Sequence, residues 1–563
     1  MGTLKLRIIF TCDVHGCFFP YDSFHKRETT GSLSRVHTYV KELRKEYGNN
    51  LILLDGGDIL QGQPTCYYSN FVAPTTPNLT ASIMNYMQYD GVTIGNHDIE
   101  TGHCVYDKFR RELNCPVLSA NITNKETTLP YFLPYSIIKR CEAKIAIVGM
   151  TTQSVPYWLN EELWLNMKFE DTIECANQVL EEIKKSEKPD VIIGLFHTGF
   201  NGGLNPVSHG ENTTEAIIKN TEGFDLILFG HDHKTFQGTV LDKNGNEVIC
   251  LNPSSCACFV ADAEITIRKT SAKAKTYISG KCQKQAKGTI VSVEKSAADI
   301  EFTSRFQKEF NAAENYLDRI IGYIAEPLKL RDCYFGSAPF TDLIHKIQLD
   351  VSGADISFAA PLAYDEVLKE GPVHVRDIFN LYKYENQIYA LKMTGSEIRK
   401  YLEKSYDLWI KTMLSPEDHI IKICRYEYDG KGISFFENLV FNFDTAAGIN
   451  YTVNVTESYG KRVGIISLSN GGIFQENAWY TVAMHSYRGN GGTEFLTKGA
   501  GIPYCELKKR RVFISPQNQR TYVIKEFERE KLIHIKKLSN WKFIPEDWTK
   551  DAIKRDRKEL FDD

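Results

Sequence analysis

Five short clusters in the first half of the chain combine aspartate, asparagine and histidine in a way that suits metal chemistry. They read Thr11-Cys12-Asp13-Val14-His15, Asp55-Gly56-Gly57-Asp58, Gly95-Asn96-His97-Asp98, His197-Thr198-Gly199 and Gly230-His231-Asp232-His233. Asp13 and His15 stand two apart, as do His231 and His233, so on extended backbone each pair leaves one face together. Asp58, Asn96 and His197 each come alone from a separate cluster. Asp13, His15, Asp58, Asn96, His197, His231 and His233 thus offer oxygen and nitrogen donors enough for two divalent cations. With no cysteine among them, the set favours Mn, Zn, Fe or Co over soft-metal sites. Two such cations can clamp a phosphoryl group through attack and departure. His97, beside the expected ligand Asn96, is placed to protonate a leaving oxygen or bind its developing charge. Singly, each cluster would pass for a turn or a helix cap; together they point to one site.

Each cluster follows at once on a short apolar run, at 7–10, 51–54, 92–94, 191–196 and 225–229. Continuous apolar runs of that length suit strands covered on both faces. Segments 34–47 and 172–185 carry apolar residues at helical spacing and fit crossover helices. The expectation is a layered α/β domain with its polar residues at the strand ends, where such sheets place their sites. Composition shifts near residue 270: 269–284 is basic and reads as a loop. Residues 297–321 then bring Phe302, Phe306, Phe310, Leu317 and Ile321 near one helical face. The expected division is a catalytic domain over 1–285, a linker helix and hinge over 286–325, a second domain over 326–535 with strands such as 388–393 and Val463–Leu468, and a charged, solvated tail over 536–563.

The chain has 563 residues, 42% hydrophobic and 25% charged, with a net charge of −4. That composition excludes wholesale disorder, and the slightly acidic balance argues against polynucleotide as a partner. No stretch reaches the roughly 18 apolar residues a membrane span requires. Fourteen cysteines are scattered without a CxxC pair, so the thiols are expected to be reduced. The chain carries no signal-peptide pattern, which makes a cytoplasmic location the expectation, or a periplasmic or extracellular one if a leader was trimmed.

The order Asp-x-His, Gly-Asp, Gly-Asn-His-Asp, His and Gly-His-x-His resembles the calcineurin-like metallophosphoesterases. Gly57-Asp58-Ile59-Leu60-Gln61-Gly62, Gly210-Glu211-Asn212 and a second domain of this size are similar to the 5′-nucleotidase and 2′,3′-cyclic-nucleotide 2′-phosphodiesterase group. The resemblance implies a four-layer α-β-β-α sandwich followed by an α+β substrate-binding domain. It implies one cation held by Asp13, His15, Asp58 and His233 and another by Asp58, Asn96, His197 and His231, with His97 catalytic. Glu100 stands where the family often has an Asp or Asn that orients that histidine.

In the second domain, Leu381-Tyr382-Lys383-Tyr384-Glu385-Asn386 and Ser486-Tyr487-Arg488-Gly489-Asn490-Gly491-Gly492 resemble the family's base-binding segments. Tyr384 and Tyr487 would sandwich the base, with Asn386 nearby, and stacking tolerates any base. The 5′-nucleotidases typically carry Asn-Gly-Gly-x-x-Arg where this chain has Ser357-Phe358-Ala359-Ala360-Pro361-Leu362, a form similar to the cyclic-phosphodiesterase/3′-nucleotidase branch. Phe441-Asn442-Phe443-Asp444 points the same way, whereas Thr493 stands where the 5′ branch often has Asp. Expected substrates are 2′,3′-cyclic nucleotides and nucleoside monophosphates, with 5′-nucleotidase activity the alternative. A polynucleotide nuclease and a catalytically dead nucleotide-binding protein are further rivals. Domain closure would need a hinge in 284–322. Oligomeric state is not legible.

Overall fold

The computed structural model describes residues 3–203, 210–268, 283–382, 384–428 and 431–561. The chain divides into two compact units, Met1–Tyr316 and Leu317–Asp563.

In the first unit the apolar runs become strands. One six-stranded sheet has the order Gln283–Ser292, Phe259–Arg268, Thr3–Thr11, Leu51–Asp55, Gly91–Thr93, Val117–Leu118. The other has the order Thr235–Leu241, Glu247–Pro253, Leu226–Phe229, Val191–His197, Ala143–Thr151, Tyr135–Arg140. Side chains alternate between two buried faces. Ile8, Phe10, Ile52 and Leu54 pack against Ile145, Ile193 and Leu228 of the facing sheet. Ile9 and Leu53 turn the other way, towards Val36 and Val40 of helix Leu33–Tyr47. Helix Thr172–Ser186, capped by Asp171, covers the far face of the second sheet through Ala176, Leu180 and Ile183. This is the four-layer α-β-β-α sandwich. The central strands pair in parallel, so their carboxyl ends, which carry the polar clusters, gather at one edge of each sheet.

The expected linker is a different structure. Its start belongs to strand Gln283–Ser292, which pairs antiparallel with Phe259–Arg268 throughout. Helices Ile300–Arg305 and Gln307–Leu317, interrupted at Phe306, return Phe302 and Phe306 to the first core. The first unit therefore extends to Tyr316 rather than 285, and 284–292, placed within the expected hinge, is sheet. Of the basic stretch 269–284, residues 269–282 lie outside the described residues.

The second unit is built on a sheet ordered Thr445–Ala447, Ile356–Ala359, Trp479–His485, Gln387–Thr394, Arg511–Asn518. Helices Pro339–Ser352 and Gly395–Trp409 pack on it, around a core in which Trp409 stacks on Phe443 and Tyr406. The expected solvated tail is also corrected. Residues 541–544 form a strand, Trp541–Ile544, paired with Ile449–Asn454. Helix Glu546–Phe561 buries Ala552, Asp556 and Leu560 at helical spacing. The Asp556 carboxylate accepts the backbone N–H groups of Ile420 and Ile421 at 2.9 and 2.8 Å. Among the described residues no helix is long and apolar enough to cross a membrane, and the described cysteines are free.

Candidate metal centre

The polar clusters converge. Asp13, His15 and His233 form one group whose ligand atoms lie within 4.8 Å of one another, and Asp58, His197 and His231 form a second. His15 Nε2 faces His233 Nε2 at 3.1 Å, and His233 Nε2 lies 3.4 Å from Asp13 Oδ1. His197 Nε2 lies 3.1 Å from both Asp58 Oδ2 and Asn96 Oδ1. His97 lies edge-on to His15 of the first group at 5.5 Å, and within the second group the His197 and His231 rings lie 5.2 Å apart.

The backbone that achieves this is not the extended one expected of Asp-x-His and His-x-His. Asp13, His15, Asp58, His231 and His233 all have positive φ, between 47° and 85°. Left-handed backbone is costly for residues with a Cβ and clusters where function demands it. Tight packing fixes these turns: His231 N–H donates to Asp13 Oδ2 at 2.9 Å, and His97 N–H to Asp58 Oδ1 at 2.8 Å. Glycine is required at 95, where a Cβ would meet Asp58 Oδ1 at 2.1 Å, and at 230, where it would meet Asp13 Oδ2 at 2.4 Å.

The donors fit divalent cations. Asp13 Oδ1 is buried and accepts no hydrogen bond, and two imidazole nitrogens facing at 3.1 Å need a proton or a cation between them. Burial pushes His15 down to about 4 against the pull of Asp58, giving the neutral imidazole that a cation binds. Burial also opposes charge on Asp58, yet His197 and His97 hold it well below the ordinary carboxylate range. Asp13 is lowered likewise, by His233 and His197 against burial. In return Asp58 and Asp13 overcome burial and raise His197 to about 10. Two buried, ionised aspartates thus demand positive charge, which protons supply here and cations would replace.

His97 Nδ1 lies 2.6 Å from Glu100 Oε2. Burial would lower this histidine, but Asp58 and Glu100 raise it to about 9.

Two residues beyond the expected set complete the centre. Asp98 Oδ2 accepts the N–H groups of Asp58 and Gly95, and Oδ1 those of Ile59 and Leu60, all within 2.9 Å. It ties the Asp58 loop to the turn bearing Asn96. Glu211 Oε1 lies 2.8 Å from His231 Nε2, while Trp158 stacks on the same ring. A carboxylate three residues after Gly95, at the start of helix Asn96–Glu100, is the local signal that could have marked Asp98; nothing local to Glu211 marks its partner.

In the second unit, Tyr384 is 39% exposed and meets Phe441 edge-on at 6.3 Å. Burial raises its phenol, with nearby Tyr487 adding to the shift. Tyr487 stacks in parallel with His485 and lies over Gly492, whose Cβ would sit 2.6 Å from the ring. Asn386 Oδ1 accepts from Ser486 Oγ at 3.3 Å, joining the two segments. Lys383, within the first of these motifs, lies outside the described residues. Ser357, Phe358, Ala359 and Ala360 are buried.

Residues 6–235 match the family described as calcineurin-like phosphoesterase, and residues 320–498 match the 5′-nucleotidase C-terminal domain. The chain is 24% identical to a trifunctional nucleotide phosphoesterase protein of Bacillus subtilis, across 96% of this chain but only 39% of that longer protein. It is also 24% identical to a 2′,3′-cyclic-nucleotide 2′-phosphodiesterase/3′-nucleotidase of Haemophilus influenzae, across 96% of this chain and 88% of that one. A solved Staphylococcus aureus structure, described provisionally as a 5′-nucleotidase, is 21% identical with a TM-score of 0.75 and covers 96% of this chain and 100% of its own. At that identity the likeness concerns the fold.

Proposed function

Because this chain belongs to the calcineurin-like metallophosphoesterases with a 5′-nucleotidase-type C-terminal domain, we propose that it hydrolyses nucleotide phosphate esters, with 2′,3′-cyclic nucleotides and 3′-nucleotides as its substrates. The observation that carries this reading is the meeting of two carboxylate–imidazole groups beside the His97–Glu100 pair. Asp13, His15, Asp58 and His233 would hold one divalent cation, and Asp58, Asn96, His197 and His231 the other, drawn from Mn, Zn, Fe and Co. Bound there, the cations would supply Lewis acidity at the phosphoryl oxygens and make the attacking water acidic.

The rest is the work of the chain. In the metal-free chain Asp58 and Glu100 raise His97 to about 9 against burial; with Asp58 committed to the cations, Glu100 is the carboxylate left to favour the protonated imidazole. Glu100 Oε2 accepts from Nδ1–H, which leaves Nε2–H to donate to the departing ribose oxygen. Asp98 holds the Asp58 loop still through four amides, so little reorganisation is needed during reaction. Tyr384 and Tyr487 stack the base, with Asn386 beside them. In a cyclic substrate the 2′ bond opens first, and the resulting 3′-monophosphate is then cleaved to nucleoside and phosphate.

Two features support the cyclic/3′ branch over a 5′-nucleotidase: the Haemophilus relative, and the buried Ala359-Ala360-Pro361 in place of an arginine-bearing segment. The test is phosphate release by the Mn²⁺-loaded chain from 2′,3′-cyclic AMP and from 2′-, 3′- and 5′-AMP. Turnover of the cyclic and 3′ esters is expected, falling at least about 10²-fold in His97→Ala or after chelation. Preferential cleavage of 5′-AMP would transfer the chain to the alternative branch. Normal turnover by Asp58→Ala would rule out the mechanism.

A further inference from the structure

One buried guanidinium joins the segment that bears Tyr487 to the Phe441–Asp444 segment, whose Phe441 ring meets Tyr384. Arg488 is fully buried, one residue after Tyr487. Its Nε donates to Asp444 Oδ2 at 2.9 Å and its Nη2 to Asp444 Oδ1 at 3.2 Å, a two-pronged ion pair without solvent. Two more donors reach backbone. Nη1 donates to the carbonyl of Gly492 at 3.2 Å, closing the loop on itself beneath the Tyr487 ring. Nη2 also donates to the carbonyl of Phe441 at 2.9 Å, and the Phe441 ring is the edge-on neighbour of Tyr384. The group lies 4.2 Å over the Phe495 ring, and the Tyr401 hydroxyl donates to Asp444.

We infer that Arg488, held by Asp444, is a positioning residue for base recognition, which sets the spacing between the Tyr487 loop and the Phe441 support of Tyr384. The inference rests on the reading that Tyr384 and Tyr487 hold the base. A planar five-donor fork is needed, because a lysine ammonium cannot serve both carboxylate oxygens and two carbonyls at once. Stacking depends on ring separation, so a shifted Tyr487 loop weakens binding of the nucleoside without touching the metal donors.

The experiment compares two esters in the Mn²⁺-loaded full chain: 2′,3′-cyclic AMP, and a methyl riboside 2′,3′-cyclic phosphate that keeps the ester and lacks the base. Arg488→Lys should raise KM for cyclic AMP about 10-fold, with kcat/KM for the baseless ester kept within about twofold. Asp444→Asn, which preserves shape, should give the same split and keeps the test decisive if the lysine variant does not fold. Tyr487→Ala is the control. If it raises KM for cyclic AMP while Arg488→Lys and Asp444→Asn do not, the positioning role is overturned and the base reading stands. If Tyr487→Ala leaves KM unchanged, the base reading fails and the inference with it. An equal loss on both esters would make Arg488 a structural residue only.

Discussion

Replacing Asp98 by asparagine removes one carboxylate oxygen and puts an NH₂ group in its place. Each Asp98 oxygen accepts two backbone N–H groups at 2.8–2.9 Å, Oδ2 from Asp58 and Gly95 and Oδ1 from Ile59 and Leu60. Whichever way the amide turns, two buried donors face a donor. Each amide left without an acceptor costs about 1–3 kcal/mol, so the substitution should destabilise the first unit by about 2–6 kcal/mol. For a unit of this size that is a fall in Tm of roughly 3–9 °C. The displaced loop carries Asp58, so Mn²⁺ affinity should also drop, by about 10–100-fold, as for other outer-sphere partners of metal ligands. Thermal melting and calorimetric Mn²⁺ titration read the two effects separately. A variant that melts within about 1 °C of the parent and binds Mn²⁺ as tightly would refute the claim that Asp98 holds the centre.

Three further outcomes follow from the same geometry. His197 is raised to about 10 in the metal-free chain, so Mn²⁺ binding at pH 8 should release protons and tighten as pH rises; titrations in buffers of different ionisation enthalpy measure this, and a buffer-independent enthalpy would contradict it. Burial opposes the charge on His97, and Asp58 and Glu100 outweigh it, so Glu100→Gln should let the His97 proton go more readily and move the alkaline limb of the kcat profile to lower pH; an unmoved limb would remove Glu100 from the mechanism. A fragment ending at Tyr316 should melt cooperatively, whereas one ending at 285 should not, because it severs strand Gln283–Ser292 and omits Phe302 and Phe306.

The catalytic edge was legible because its elements are local. An apolar run followed by a polar pair reads as a strand end in any buried sheet, and the strands at Leu51–Asp55, Val191–His197 and Leu226–Phe229 lie where those runs fall. The conformation at those ends was not legible. Left-handed backbone at Asp13, His15, Asp58, His231 and His233 is imposed by contacts such as His231 N–H to Asp13, from residues far apart in sequence. Strand Gln283–Ser292 escaped detection for a related reason: it is an edge strand, and many of its residues are exposed polar ones. Helix Glu546–Phe561 looked like a tail because charges crowd its outer face. One of its buried positions is itself charged, Asp556, whose burial makes sense only once the amides of Ile420 and Ile421 are beside it.

The proposed mechanism requires two cations that share Asp58. Anomalous scattering from crystals grown with Mn²⁺ would locate them directly. Two peaks are expected, one among Asp13, His15 and His233 and one among Asn96, His197 and His231, each within bonding reach of Asp58. A single peak, or peaks remote from Asp58, would contradict it.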